Sequence, residues 1–206
     1  MRADGAEQNL ERVALFPLNI VLFPGGLLPL RIFEPRYLRM VSECLREQRP
    51  FAVAAIVAGS EAGGVASTAA SGTLAKIIDW EQRDDGLLGL VCEGEQSCSL
   101  RDVHVERDQL LRAAIERHPI AAPQAMPDEC AWMAELLDEL LHRVGPPFDR
   151  LLGAQSSADH VANRLIELLP LPIGEKQALF EMQDALARLG CLAGLINPSS
   201  DGGASA

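Results

Sequence analysis

Apolar residues follow two different spacings along the chain. Up to about position 118 they form short runs bounded by turn residues, which predict six strands, at 13–16, 27–33, 51–57, 73–80, 87–92 and 97–105. One helix interrupts these strands, because Pro35 suits a first helical position and an apolar stripe follows it up to Pro50. The pattern predicts a β-rich subdomain over residues 12–120 with one inserted helix.

Beyond a proline-rich stretch the apolar spacing changes to about 3.6 residues, which is the period of a helix. The composition of the turns around these segments supplies start and stop signals for helices. Helices are predicted at 128–144, from a cap at Ser157 to a stop at Pro170, and over 174–196 with a break near Asp184. The change of period predicts a separate helical subdomain over residues 121–197.

Three segments contain too few large apolar residues to predict packed structure. Small residues fill the segment from Gly59 to Gly72, and polar or small residues fill both ends of the chain. We therefore expect a flexible leader over 1–11, a mobile loop between Gly59 and Gly72, and a disordered tail over 198–206.

The charge of the chain limits its partners. A formal net charge of -11 and a sequence pI of about 4.8 repel phosphate backbones and anionic lipid surfaces, so nucleic acid is not an expected partner. The five cysteines are odd in number and widely spaced, which is typical of free thiols in a reducing compartment. The sequence predicts a cytoplasmic protein.

One uncharged segment, 13–30, has about the length of a membrane-spanning helix. Pro17, Pro24 and Pro29 fall inside it, and each interior proline costs a helix roughly 3 kcal/mol. The preceding leader is acidic rather than basic, unlike a secretory signal. We therefore interpret the segment as short strands joined by turns, with no membrane contact.

Local motifs for catalysis are absent from the sequence. There is no GxxxxGK[ST] phosphate loop, no GxSxG nucleophile elbow, no HExxH and no CxxC. The acidic pairs Asp84-Asp85 and Glu93-Gly94-Glu95 are interpreted as solvated surface charge. The sequence predicts no catalytic residue, no cofactor and no metal.

Two long motifs resemble the Lon substrate-binding domain family. They are LFPLNIVLFPG at 15–25 and LPLRIFEPRY at 28–37, and weaker similarity continues to KQALFE at 176–181. The resemblance spans about 11–197 and implies an α+β fold, a PUA-like six-stranded β pseudo-barrel with one inserted helix, followed by a C-terminal helical bundle. Ser97-Cys98 stands where family members often have an Arg-Phe pair. The ATPase and peptidase domains of full-length Lon have no room in 206 residues.

The resemblance, together with the absent motifs, predicts a non-catalytic module that binds exposed apolar or unfolded polypeptide, with a separate protease or chaperone as a further candidate partner. Phe23, Leu27 and Leu28 are the candidate peptide-binding residues, because turn residues of an apolar segment are often left exposed. For each one singly, packing against the helix of Tyr37 is the alternative. Two other functions remain open: a hydrolase with a dispersed active site and a PUA-like RNA-binding protein.

Overall fold

The computed structural model describes residues 10–59, 67–153 and 157–196. The β-rich part consists of β1 Glu11–Leu18, β2 Leu27–Ile32, helix α1 Pro35–Glu47, β3 Phe51–Ala58, β4 Ser67–Thr68, β5 Ser71–Gln82, β6 Leu88–Val105 and β7 Leu111–Arg117. The helical part consists of α2 Ala131–Val144, α3 Ala158–Leu168, α4 Ile173–Glu181 and α5 Ala185–Ile196, with 3-10 turns at Asp128–Cys130 and Phe148–Leu151.

The strands form one mixed sheet whose pairings close on themselves. β1 pairs in parallel with β3 and antiparallel with β7, while β3 pairs with β5, β5 with β6 and β6 with β7. The short β4 pairs antiparallel with the end of β3, and β2 lies outside this closed path and pairs with β6. The 18-residue β6 makes this arrangement possible, because its first half pairs with β2 and its second half with β7.

The strand predictions need two corrections. The predicted strands at 87–92 and 97–105 are one continuous strand, β6, and β7 was not predicted. Gly94 does not break the strand; a Cβ atom there would lie 2.4 Å from the backbone oxygen of Phe23. This glycine therefore permits a close approach of two backbones inside a strand rather than a turn.

The expected loop from Gly59 to Gly72 also needs correction. Residues 60–66 of that loop lie outside the described residues, but Ser67–Thr68 forms β4 and β5 begins at Ser71. The backbone N of Ala69, a buried residue, donates to the oxygen of Ala55 at 2.8 Å, which anchors this end of the segment. The predicted leader over 1–11 is also one residue too long, because β1 begins at Glu11. The predicted tail lies outside the described residues.

The helical predictions are confirmed. Residues 128–144 form a 3-10 turn that continues into α2, and the side chain of Ser157 accepts a hydrogen bond from the backbone N of His160 at the start of α3. The expected break near Asp184 separates α4 from α5. Within the β-rich part, α1 begins at Pro35 as expected.

Buried apolar side chains form three clusters. One lies between α1 and the sheet and contains Tyr37 and Met40, and a second lies among the strands of the closed path around Leu15 and Leu74. The third joins α2 to α5 and also includes Val21 and Phe23 from the β-rich part. The helices therefore share a core with the chain that connects β1 to β2.

Candidate functional site

The turn from Phe23 to Gly26, which lies in the uncharged segment 13–30 between β1 and β2, is held against β6. The backbone N of Gly25 donates to the oxygen of Gly94 at 2.7 Å, and the N of Gly94 donates to the oxygen of Gly26 at 2.9 Å. Gly25 adopts φ +75°, which glycine tolerates without steric cost. A Cβ atom at Gly26 would lie 2.3 Å from Glu167 Oε1, so this turn also fits tightly under α3.

Two charged side chains of α3 fasten the turn from the other side. Glu167 Oε1 accepts a hydrogen bond from the backbone N of Phe23 at 2.7 Å, and Arg164 donates to the oxygen of Pro24 at 3.1 Å. The two side chains form an ion pair at 2.8 Å and are 1% and 14% exposed for Arg164 and Glu167 respectively. We call this arrangement of the turn, Arg164 and Glu167 the junction.

Burial decides the electrostatics of the junction. Loss of water raises the pKa of Glu167 above its usual value, and the guanidinium of Arg164 opposes that rise. Removing one partner of a buried pair leaves an uncompensated charge, which is far more destabilising than losing a surface pair. The junction is therefore a structural device that joins the β-rich and helical parts.

The expected exposure of Phe23, Leu27 and Leu28 is wrong, since they are 1%, 8% and 7% exposed. The ring of Phe23 meets that of Phe180 edge-on at 5.1 Å, and Leu28 packs in the cluster that contains Tyr37. The helical part covers Phe23, which the local sequence does not reveal, whereas Leu28 is buried between α1 and the sheet, the alternative that the sequence left open. A peptide-binding role for these three residues stays a prediction. Because they are buried, a ligand could contact them only if the structure opened, whereas other apolar side chains are already exposed.

One part of the sheet carries large apolar side chains that are exposed in the described structure. It consists of β2, residues 88–93 of β6 and residues 76–82 of β5, and we call it the flap. Within the described structure, β2 and this part of β5 pair only with β6, so each is an edge. Trp80 is 62% exposed on the flap, Phe33 is 60% exposed just after β2, and Ile78 is also exposed.

The edges of the flap are blunted against further strands. Asp79 Oδ1 accepts a hydrogen bond from the backbone N of Trp80 at 2.9 Å, and Pro29 in β2 has no N–H to donate. A groove of about 600 Å³ runs beside the flap and includes Trp80 and Phe148. A ligand at the flap would therefore bind through side-chain contacts rather than by adding a strand through backbone hydrogen bonds.

A second concave surface lies where the β-rich and helical parts meet. This cleft has a volume of about 340 Å³ and is lined from β6, from the connection that follows β7, and from α3, α4 and α5. Ile120 at this cleft is 80% exposed, and Phe180 and Met182 also line it. We call it the interface cleft.

Groups that could perform chemistry do not assemble into a complete site. Ser99 Oγ lies 2.8 Å from His118 Nε2, a pair that sequence reasoning missed because Ser99 lies in β6 and His118 follows β7, 19 positions later. No carboxylate in the described ranges hydrogen-bonds the other ring nitrogen, so the third member of a nucleophilic triad is missing there. Burial raises the pKa of Cys44 and Cys98 to about 11, which keeps both thiols protonated.

The described residues form neither a metal-binding cluster nor a membrane-spanning helix. No group of three or more histidine, cysteine or acidic side chains is placed to hold a metal ion in the described ranges. Likewise, no helix among the described residues combines the length and apolar character needed to cross a membrane. All five cysteines are free.

The closed path of strand pairings, with helices packed over one of its connections, defines an α+β domain in which both parts share a core. The chain belongs to the family of ATP-dependent protease La (LON) substrate-binding domains, whose model matches residues 12–197. This match confirms the resemblance carried by the two N-terminal motifs.

Relatives and solved structures agree with this membership. The chain is 30% identical over 192 residues to Lon protease 1 of Sorangium cellulosum and 24% identical over 191 residues to Lon protease 2 of Myxococcus xanthus. These alignments cover 85% and 89% of the chain but only 23% of each relative. A Lon N-terminal domain protein from Xanthomonas campestris is 29% identical with a TM-score of 0.72, covering 89% of this chain and 98% of that one.

A second solved structure shows the fold alone. The N-terminal domain of Mycobacterium avium complex Lon protease is 17% identical with a TM-score of 0.59, and the likeness covers 93% of this chain and all of that one. The mixed sheet with its helices is therefore the fold of Lon N-terminal domains.

Proposed function

We propose that the chain is a non-catalytic polypeptide-recognition module that binds exposed apolar segments of unfolded proteins at the flap. The observation that carries this proposal is Trp80, which is 62% exposed on a strand whose neighbouring side chains are mostly polar. Aromatic side chains of this kind are enriched at the energetic centres of interfaces. Membership of a family of substrate-binding domains supports polypeptide as the ligand.

The expected affinity is modest. Each apolar anchor that becomes buried contributes roughly 1 to 3 kcal/mol, and ordering a flexible ligand offsets part of that gain. Since the blunted edges disfavour strand addition, side-chain contacts at Trp80 and its neighbours supply the binding energy. Dissociation constants in the micromolar range or weaker follow from these terms.

The fold, the cellular location and a further partner are also proposed. We infer a PUA-like arrangement for the closed strand path, a cytoplasmic location for a chain with five free cysteines, and a separate protease or chaperone as a further partner. The negative charge of the chain supports a polypeptide ligand over RNA.

Intrinsic fluorescence offers a test of the binding site, because the chain has two tryptophans. In a Trp132→Phe background Trp80 is the one remaining tryptophan, and titration with a reduced, alkylated model protein that lacks tryptophan should shift its emission to the blue as the ring loses water. Trp80→Ser should weaken binding of the labelled model protein on the order of tenfold, whereas Val103→Ser, at an exposed valine in the second half of β6, should not. Binding that is unchanged by Trp80→Ser would exclude the flap, and absence of binding by the wild type would exclude the function.

The absence of catalysis is tested separately. The Ser99–His118 pair lacks an orienting carboxylate in the described structure, so a fluorophosphonate probe should not label Ser99. Labelling that disappears in Ser99→Ala would favour the hydrolase alternative. Hydrolysis of a peptide or ester substrate by the wild type, lost in Ser99→Ala, would also favour the hydrolase alternative.

A further inference from the structure

The interface cleft combines apolar walls with unpaired negative charge. Ile120, Phe180 and Met182 supply the apolar contacts, and three carboxylates line the same space: Glu95 from β6, Asp159 from α3 and Glu181 from α4. Within the described part of the chain, no arginine, lysine or histidine lies within 4.0 Å of any of these carboxylates. Their recorded partners are neutral: Glu181 accepts from Ser71 and Gln177, and Asp159 accepts from the backbone N of Gln124.

The positive groups around the cleft offset only part of this charge, since Arg188 interacts electrostatically with Asp159. Arg188 is buried, and its guanidinium already donates to Leu179 O, Asn163 Oδ1 and Met182 O. Burial, followed by the charge of Arg164, lowers the pKa of His160, which keeps that ring neutral near pH 7. His118 is hydrogen-bonded to Ser99. The charge that a ligand meets in the cleft is therefore negative.

We propose that the interface cleft binds polypeptide segments in which a lysine or arginine lies next to a large apolar residue. The apolar side chain packs against Ile120 and Phe180, and the cation lies near Glu95 and Glu181. This complementarity sets charge preference more than total affinity, because opposite charges attract and an acidic segment is repelled. The inference rests on the proposed function in that the ligand is a polypeptide, but it concerns a surface apart from the flap.

The probe is a short fluorescein-labelled peptide of leucine and lysine spaced by glycine, and its partners replace every lysine with glutamine or with glutamate. Fluorescence anisotropy at low salt should rank binding in the order lysine, glutamine, glutamate. Added salt should weaken only the lysine peptide, since screening acts on exposed charge pairs.

The cleft variant is Glu95→Gln combined with Glu181→Gln. Its control is Glu135→Gln combined with Glu175→Gln, which changes the net charge equally at exposed positions outside the cleft lining. The cleft variant should bind the lysine peptide on the order of fivefold more weakly than the control. Ile120→Ser should weaken the lysine and glutamine peptides by similar factors, because it removes the apolar contact alone.

Three results would overturn the proposal: equal binding of the lysine and glutamate peptides, equal loss in the cleft variant and its control, or preference for the glutamate peptide. The last would mean that Arg188 sets the charge preference. Trp80→Ser separates this site from the flap, because it should leave the lysine peptide unaffected while reducing binding of unfolded protein. If the lysine peptide binds but unfolded protein does not, the flap proposal fails and the cleft proposal stands.

Discussion

The junction and the flap place aromatic side chains in opposite environments. Phe23 belongs to an uncharged run and is 1% exposed, whereas Trp80 stands on a strand with charged neighbours and is 62% exposed. The helical part packs over the first, whereas Trp80 belongs to none of the buried apolar clusters of the described structure. Apolar content alone therefore does not locate a binding surface. Whether an apolar segment is exposed depends on which other elements pack over it.

The largest expected effect comes from breaking the ion pair of the junction. Arg164→Met leaves Glu167 buried without its cation, so we expect the free energy of unfolding to fall by roughly 3 to 5 kcal/mol. Urea denaturation followed by circular dichroism measures it. Arg143→Met is the matched control, because it breaks the exposed Arg143–Glu139 pair and should cost no more than about 0.5 kcal/mol. Equal losses in the two variants would contradict a structural role for the junction.

The next effect tests the backbone contact beneath the turn. Gly94→Ala places a methyl group 2.4 Å from the backbone oxygen of Phe23, and backbone cannot yield as a flexible side chain can. We expect a loss of about 2 kcal/mol, in the range for overpacked sites. Gly190→Ala meets nothing within 4 Å on α5 and should instead raise stability by up to about 1 kcal/mol. A Gly94→Ala variant as stable as wild type would mean that β6 and the turn separate at little cost.

The helix starts could be predicted from the sequence, whereas the role of Gly94 could not. The helix starts at Pro35 and Ser157 were predictable, because the signals for a helix start lie within one turn of each other. The sequence predicted separate strands on either side of Gly94, because a glycine that permits close approach to a distant backbone looks the same locally as one in a turn. Its partner, Phe23, lies on another element of the fold.

The candidate sites depended even more on long-range packing. The burial of Phe23 follows from Glu167 and Phe180, which lie more than a hundred positions away in sequence. Trp80 was predicted as part of a strand, but its exposure follows from the lack of a second neighbour for this half of β5 in the described structure. The interface cleft likewise joins residues from β6, α3 and α4, and no local motif links them.

A smaller effect is the dependence of stability on pH that Glu167 gives to the junction. Burial raises the pKa of Glu167 in the folded state above its value in the unfolded chain. Between those two values the folded state holds a proton that the unfolded state lacks, so stability falls as pH rises through this window. Glu167→Gln cannot ionise, so its stability should be less dependent on pH there than that of wild type, in urea titrations at several pH values. A wild-type stability that rises more steeply with pH than that of the variant would give the opposite sign and contradict the buried carboxylate.

The smallest expected effect on stability belongs to the flap. Trp80 gains little from folding because most of its ring stays in water, so Trp80→Ser should change the free energy of unfolding by no more than about 0.5 kcal/mol. The same urea titration used for the junction measures it, with Trp132 fluorescence or circular dichroism as the signal. Phe23→Ser is the matched aromatic change in a buried site and should cost roughly 3 to 5 kcal/mol, since it leaves a cavity beside Phe180. A Trp80→Ser variant that loses as much stability as Phe23→Ser would show that the flap is covered in solution, by the rest of the chain or by a second copy. In that case, weaker binding by Trp80→Ser would no longer identify Trp80 as the contact with polypeptide.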